Sequence, residues 1–228
     1  MEKTIDTVIP DIYETMKSKN YTGDLDTIAM QCGREVEQAI KNAFEPYEQK
    51  KDLRMSSIGR CERAQWYTVK GYTPEEIDGS VYLTFLQGHV LEAMLVALIK
   101  LSGHAVTDQQ KQHTVEGVNG SQDCTIDGEL VDIKTASAWS WDNKFDEDGI
   151  KDDSFGYIKQ LSAYGKGDKR KHGYFLALNK NKSTQHQPFS PSYPPPTPNP
   201  HPEAHSQPPL PQPLSTRRTK RTAVPSLL

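Results

Sequence analysis

Residues 121–135 read SQDCTIDGELVDIKT, and the arrangement of this stretch decides the fold of the chain. An Asp-Gly pair between two extended, half-apolar runs is a strong signal for a two-residue β-hairpin turn. We therefore predict antiparallel strands over 121–126 and 129–135, joined by a turn at 127–128.

Charged side chains meet on one face of this predicted hairpin. The register places Asp123 directly opposite Asp132, with Cβ atoms roughly 5 Å apart. Lys134 projects to the same side, because residues two apart along a strand share a face. Like charges in such a position destabilise a hairpin unless a cation shares them. Two carboxylates and one ammonium group on one face therefore predict a site for a divalent metal and a phosphate.

The charge of the chain is distributed unevenly. Its 228 residues carry a formal net charge of −3, with −7 over residues 1–180 and +4 over the tail, 181–228. Non-specific attraction to phosphates is therefore excluded as the main binding force, and a nucleic-acid enzyme of this balance would use local basic residues and a bound metal. The tail contains 13 of the 16 prolines and no hydrophobic periodicity. We predict that it is disordered; a shifted reading frame beyond Asn179 would explain the same change in composition.

Cysteine usage and hydropathy indicate a cytoplasmic protein. Cys32, Cys61 and Cys124 have long, unequal spacings that fit neither a disulfide framework nor a zinc motif. We expect no signal peptide, and the longest apolar run, Val90–Ile99, is interrupted by Glu92 and too short to span a bilayer.

Hydrophobic periodicity and capping residues predict the remaining elements. Helices are expected over 5–17, from Asp24 or Asp26 to Ala43, over 56–71 with a serine N-cap, over 85–101 and over 156–164. The stretch 136–154 resembles a solvated loop, and 173–178 is a short apolar strand without an evident partner.

Glu92 is the polar exception in its helix. Nine of the ten residues from Val90 to Ile99 are apolar, so this carboxyl group has no solvated side. Burial of an unpaired carboxylate costs several kcal/mol. We therefore expect Glu92 to be protonated, bound to a metal, or paired with a basic side chain in a purely structural role.

The order of these features resembles the PD-(D/E)xK nuclease superfamily, in particular the RecB-like branch of phage recombination exonucleases and Cas4-type nucleases. The matching segments are 88–92 (GHVLE), 120–123 (GSQD), 132–135 (DIKT) and 160–164 (QLSAY). A further segment, 57–67, is similar to the one that precedes the core in such proteins. The resemblance covers about residues 55–180.

The resemblance implies a role for each matching residue. Glu92, Asp123, Asp132 and the carbonyl group of Ile133 would be metal ligands, and Lys134 would position the attacking water and stabilise the developing charge. Gln160 and Tyr164 would complete the wall of the site and touch DNA. Further DNA contacts are expected from Ser57, Arg60, Arg63 and Tyr157. Residue spacing alone favours a capped surface helix over 56–71 whose aromatic side chains reach the core.

Two positions depart from the pattern of the family. Many relatives have histidine where Glu92 stands; His89 lies three residues earlier, about 60° away around the helix, and we assign Glu92. Iron–sulfur members have one cysteine near Cys61 and three near the C-terminus, but here no cysteine follows Cys124. An iron–sulfur cluster is therefore not supported, and hard carboxylate ligands favour Mg²⁺ or Mn²⁺.

These expectations combine into one hypothesis. The chain would have an α/β fold, with an N-terminal helical segment (1–54), a restriction-endonuclease-like core with a central mixed sheet flanked by helices (55–180), and the tail (181–228). It would be an exonuclease acting on DNA beside a single-strand annealing or recombination protein, in a phage or bacterial host cytoplasm and not at a membrane. The alternatives are a structure-specific or nicking endonuclease, a decayed DNA-binding module, and a metal-free domain with ion-paired acids.

Overall fold

A computed structural model describes residues 3–46, 51–146, 149–150 and 152–181. Its helices are α1 (Val8–Ser18), α2 (Leu25–Ala43), α3 (Glu62–Val69), α4 (Gly79–Leu101), α5 (Ala138–Lys144) and α6 (Tyr157–Gly167), with 3₁₀ turns at Ile5–Thr7 and Met55–Ser57. Its strands are β1 (Val106–Thr107), β2 (Gln112–Val115), β3 (Val118–Ser121), β4 (Cys124–Ile126), β5 (Glu129–Ala136), β6 (Phe145–Asp146), β7 (Gly149–Ile150) and β8 (Tyr174–Asn179). The predicted tail lies outside the described residues, apart from Asn181.

The central sheet has four strands in the order β1-β4-β5-β8. Strand β4 is antiparallel to both β1 and β5, whereas β8 runs parallel to β5 over six residue pairs. The predicted mixed sheet flanked by helices is therefore confirmed. The strand expected over 173–178 is β8, and its partner is β5.

The predicted hairpin register is confirmed where the strands pair. Ile126 lies opposite Glu129, and Cys124 lies opposite Val131. The turn residues Asp127 and Gly128 have φ of 49° and 86°, as a two-residue type I′ turn requires.

The first strand of the hairpin is shorter than predicted. It begins at Cys124, and Ser121 belongs instead to β3, which pairs with β2. Asp123 lies between these strands, where its side-chain Oδ2 accepts a hydrogen bond of 2.7 Å from the backbone N–H of Ile133. A side-chain acceptor thus replaces the ladder bond that continued strand pairing would have made.

Helices cover both faces of the sheet. On one face, Leu95 and Ile99 of α4 and Val8 of α1 pack against Ile126 and Val131. On the other face, apolar side chains of α6 and of the 3₁₀ turn pack against β5 and β8: Met55, Leu130, Leu161, Tyr164 and Phe175. The alternation along β5 sends Val131 and Ile133 to the first face and Leu130 to the second.

Helix α4 is longer than predicted. It begins at Gly79, because Asp78 caps it by accepting a hydrogen bond from the N–H of Ser80. At 23 residues it is long and apolar enough to cross a membrane by length and composition alone, whereas the run Val90–Ile99 by itself is too short. In the structure it packs against the sheet, with Leu95 and Ile99 fully buried.

Two further sequence predictions were wrong. The third helix begins at Glu62 after Cys61, because the hydroxyl of Ser57 is used in a 3₁₀ turn, where it donates to the carbonyl of Arg54 at 2.8 Å. The stretch predicted to be a solvated loop contains α5 and the β6–β7 pair. Burial of Phe145 against Ala136 and Ala177 outweighs the acidic composition of that stretch.

Helix α6 begins at a point of close backbone contact. Its N-cap, Gly156, has φ of 73°, which favours glycine. A Cβ atom added to Gly59 would overlap the Cα of Gly156 and lie 2.9 Å from its carbonyl carbon and oxygen. The segment before α3 therefore fits against the start of α6 only while both residues lack side chains.

We predict that Gly59→Ala lowers the melting temperature by several degrees, because the backbone at Gly156 cannot yield as a flexible side chain would. The control is Gly33→Ala in α2, where an added Cβ atom meets nothing within 4 Å; it should stabilise the protein by about 0.5–1 kcal/mol. Calorimetry measures both variants. If Gly59→Ala is as stable as the wild-type protein or more stable, the close contact between Gly59 and Gly156 is contradicted.

Candidate active site

Strand β5 places an acid and a base side by side. Asp132 and Lys134 are two residues apart on the strand, and Lys134 Nζ lies 2.6 Å from Asp132 Oδ2. The side chain of Asp132 is only 1% exposed, and that of Lys134 is 17% exposed. This buried ion pair is the centre of the candidate site.

Two further carboxyl groups surround this pair. Asp123 enters from the start of β4, and its hydrogen bond to the Ile133 N–H fixes it beside β5. Glu92 enters from α4 and is half-buried. Gln110, in the loop before β2, donates to Glu92 Oε1 at 3.2 Å. The structure thus brings together the four residues to which the sequence assigned metal binding and catalysis: Glu92, Asp123, Asp132 and Lys134.

Burial raises the pKa of each carboxyl group in this cluster. The pKa of Glu92 is raised to about 7 by burial and then by the charge of Asp132. For Asp123, burial and the charges of Asp132 and Glu92 raise the pKa well above its usual range. The pKa of Asp132 is also raised by burial, although Lys134 opposes this shift. With all four groups ionised the cluster carries two uncompensated negative charges, which favours an additional cation.

Lys134 remains protonated in this environment. Burial by itself would lower the pKa of its ammonium group, but the charges of Asp132 and Asp123 outweigh burial and raise it. Lys134 is therefore a positive charge and a hydrogen-bond donor, and it has no free lone pair with which to accept a proton.

The donor atoms are of the chemical type that a hard divalent cation binds. Within the described part of the chain, the buried Asp132 Oδ1 has no hydrogen-bond partner, and Oδ2 has only the ion pair with Lys134; such buried polar atoms are rare in native proteins. Among the described residues, the only hydrogen bond to Glu92 reaches Oε1, which leaves Oε2 available. Carboxylate oxygens are the ligands that Mg²⁺ and Mn²⁺ prefer. Among the described residues, no three His, Cys, Asp or Glu side chains converge closely enough in this conformation to hold one ion.

Helix α6 supplies the wall of the site. The ring centroid of Tyr157 lies 4.9 Å from Lys134 Nζ, a cation–π contact. Gln160 Nε2 donates to the Tyr164 hydroxyl at 3.1 Å. Tyr164 is 2% exposed and packs in the core, so in this conformation its ring has no surface for the expected DNA contact.

An open groove of about 1740 Å³ leads to Glu92. Ser57 and Arg60, two of the predicted DNA contacts, line this groove. The Ser57 hydroxyl already donates a hydrogen bond to the Arg54 carbonyl group. Arg63 is exposed on α3 and donates to the Tyr67 hydroxyl at 3.2 Å. Sequence reasoning missed Gln110, because a single glutamine in a loop has no recognisable pattern.

The comparisons with known proteins give weak similarities. The crystal structure of SSO0001 aligns with a TM-score of 0.38 and 12% identity, over 70% of this chain and 77% of that chain. An alkaline exonuclease, LHK-Exo from Laribacter hongkongensis, aligns with a TM-score of 0.44 and 17% identity, over 68% and 81% of the two chains. No protein-family model matches the chain, and no curated protein matches it. Functional assignment therefore depends on the site itself.

We predict that Tyr157→Leu destabilises the protein by about 1 kcal/mol more than Tyr157→Phe, because only phenylalanine keeps an aromatic face against the Lys134 ammonium group. Chemical denaturation measures both variants. The same two substitutions in a Lys134→Met background serve as the control, because the cation is then absent and the difference should shrink to the part that comes from packing. A difference of the same size in both backgrounds would mean that Tyr157 acts through packing alone.

Proposed function

We propose that this protein is a Mg²⁺- or Mn²⁺-dependent deoxyribonuclease of the PD-(D/E)xK type. The observation that carries the proposal is the Asp132–Lys134 ion pair, buried beside Asp123 and Glu92. These residue types at these positions are the ones that phosphodiester hydrolysis requires: anionic oxygens for a hard cation and a fixed positive charge for the phosphate.

Each side chain has a distinct role in the proposed reaction. Glu92, Asp123, Asp132 and the Ile133 carbonyl group would hold the metal, which supplies Lewis-acid activation of water and neutralises phosphate charge. Lys134 stays protonated, so it donates a hydrogen bond where negative charge develops on the phosphate. Tyr157 keeps the ammonium group in place through its ring face.

Local basic side chains support DNA as the substrate, although the groove is also lined by Glu35, Glu45 and Asp52. Residues 51–74 carry five basic and two acidic side chains, in contrast to the −7 of residues 1–180. This basic segment includes Arg54 and Arg60, which line the groove that leads to Glu92. Basic side chains along such a path would contact backbone phosphates and bring one phosphodiester to the acidic cluster.

We propose exonuclease action in phage recombination or DNA end processing, beside a single-strand annealing or recombination protein in the host cytoplasm. This part of the proposal follows from the resemblance of the four sequence segments described above. A nicking or structure-specific endonuclease would use the same chemistry. Degradation of end-labelled linear DNA, with a covalently closed circle of the same sequence left intact, supports an exonuclease; cleavage of the circle supports an endonuclease.

A second candidate is a metal-free domain whose acids serve only structure. The ion pair between Lys134 and Asp132 favours it, because this contact already neutralises one carboxylate. The same assay, run with Mg²⁺ and with EDTA, separates the candidates. Cleavage in Mg²⁺ that EDTA abolishes supports the nuclease. Binding of DNA without cleavage in either condition supports a decayed DNA-binding module, and neither binding nor cleavage supports the structural role.

We predict that Asp132 and Lys134 have separable functions. Asp132→Asn should abolish both Mn²⁺ binding and cleavage, because it removes an anionic ligand. Lys134→Ala should retain Mn²⁺ binding, since a nearby positive charge is lost, but should lower the cleavage rate by at least about a hundredfold. Isothermal titration with Mn²⁺ and nuclease assays measure the two effects.

The control for this pair is Lys17→Ala, which removes an exposed lysine of α1 and should change neither property. Near wild-type cleavage by Lys134→Ala would show that the D-x-K assignment is wrong.

A further inference from the structure

Gln110 lies in a strained loop beside the acidic cluster. The loop connects β1 to β2, and within it Asp108 and Gln110 have φ of 49° and 54°. Left-handed backbone is unfavourable for glutamine, whereas glycine and asparagine adopt it readily. A glutamine at such a position points to a use for its side chain.

The side chain of Gln110 connects two elements of the site. Its Nε2 donates to Glu92 Oε1 at 3.2 Å, and its Oε1 accepts from the Ser121 hydroxyl at 3.0 Å. Because an ionised carboxylate can only accept, Glu92 requires the amide nitrogen to face it, and the Ser121 hydroxyl then holds the amide in this orientation by donating to its oxygen. The backbone N–H of Gln110 also donates to the carbonyl of Asp123 at 3.0 Å. One residue therefore contacts α4, the end of β3 and the approach to β4.

We infer that Gln110 is a positioning residue for the metal centre, an inference that rests on the proposed function. By donating to Oε1 it fixes the rotation of the Glu92 carboxylate and leaves Oε2 for the cation. Through its backbone it holds Asp123 at the same time. Two ligands that are 31 positions apart in the sequence are thereby oriented by one residue.

The geometry explains why glutamine is needed here. Asparagine fits the left-handed backbone better, but its side chain is one methylene group shorter and cannot reach Glu92 from the same Cα position. Methionine has the length but no donor. Glutamate would place a fourth carboxyl group against three others. Only glutamine combines the reach and the donor with an acceptor for Ser121.

The test is the affinity for Mn²⁺, measured by isothermal titration on the full chain. Gln110→Asn should weaken Mn²⁺ binding by about 10- to 100-fold, the usual effect of removing a group that orients a metal ligand. The melting temperature of the metal-free variant should stay the same or rise, because asparagine relieves the backbone strain. A loss of affinity without a loss of stability distinguishes positioning from a structural role.

The matched control is Gln109→Asn, the same substitution one residue earlier. Gln109 contacts Glu35 and Lys100 and no member of the cluster itself, so its variant should bind Mn²⁺ within about twofold of wild type, well inside the expected loss. Ser121→Ala is the second test variant: it removes only the hydroxyl that orients the amide and should weaken binding by a smaller factor. It decides the matter if Gln110→Asn fails to fold.

The outcomes separate this inference from the proposed function. Wild-type protein that binds Mn²⁺, with Gln110→Asn and Ser121→Ala binding equally well, overturns the role of Gln110 and leaves the nuclease proposal intact. Wild-type protein that binds no Mn²⁺ overturns both. Weaker binding in both variants, with Gln109→Asn unaffected, supports the inference.

Discussion

Three carboxyl groups share a poorly solvated space with one ammonium group, and this electrostatic constraint determines how the surrounding elements are arranged. Burial raises the pKa values of Glu92, Asp123 and Asp132, and the charge of Asp132 raises the first two further, while Lys134 offsets only part of the negative charge. The cluster is therefore stable with protons or with an additional cation, and not as four ionised groups alone. This requirement links the fold to the proposed chemistry.

The three carboxyl groups and the ammonium group lie on several separate elements of the fold. Strand β5 is the centre, because it pairs with β4 on one side and β8 on the other and carries both Asp132 and Lys134. Helix α4 comes close to it at Gly88, where a Cβ atom would lie 3.5 Å from Thr135 Oγ1, and α6 brings Tyr157 over Lys134. The contact of Gly59 with Gly156 joins the groove-lining segment to the start of α6. A change in that segment is therefore expected to reach Lys134 through Tyr157.

Local patterns in the sequence predicted the parts of the site that depend on local interactions. The Asp-Gly turn fixed the hairpin register, and the single acid in an apolar helix identified Glu92. The structure differs from the sequence predictions where contacts between distant residues determine the local structure. Parallel pairing of β8 with β5 depends on residues about 43 positions apart. Burial of Phe145 stabilises α5 and the β6–β7 pair in a stretch whose acidic composition had predicted a loop. Gln110 could not be found from the sequence, because its importance arises from a left-handed backbone and from partners at positions 92 and 121.

The most direct test of the central claim is thermal unfolding as a function of pH, in EDTA and in millimolar Mg²⁺. Because the folded-state pKa values are raised, to about 7 for Glu92 from 4.5, the metal-free folded protein retains protons that the unfolded chain releases. Its stability should therefore fall as pH rises through this range. A cation that replaces those protons should remove this loss and stabilise the fold by about 2.7 kcal/mol at a hundred times Kd. The account predicts that the difference between Mg²⁺ and EDTA widens from about pH 5 to about pH 7.5; identical melting temperatures in the two conditions across that range would contradict it.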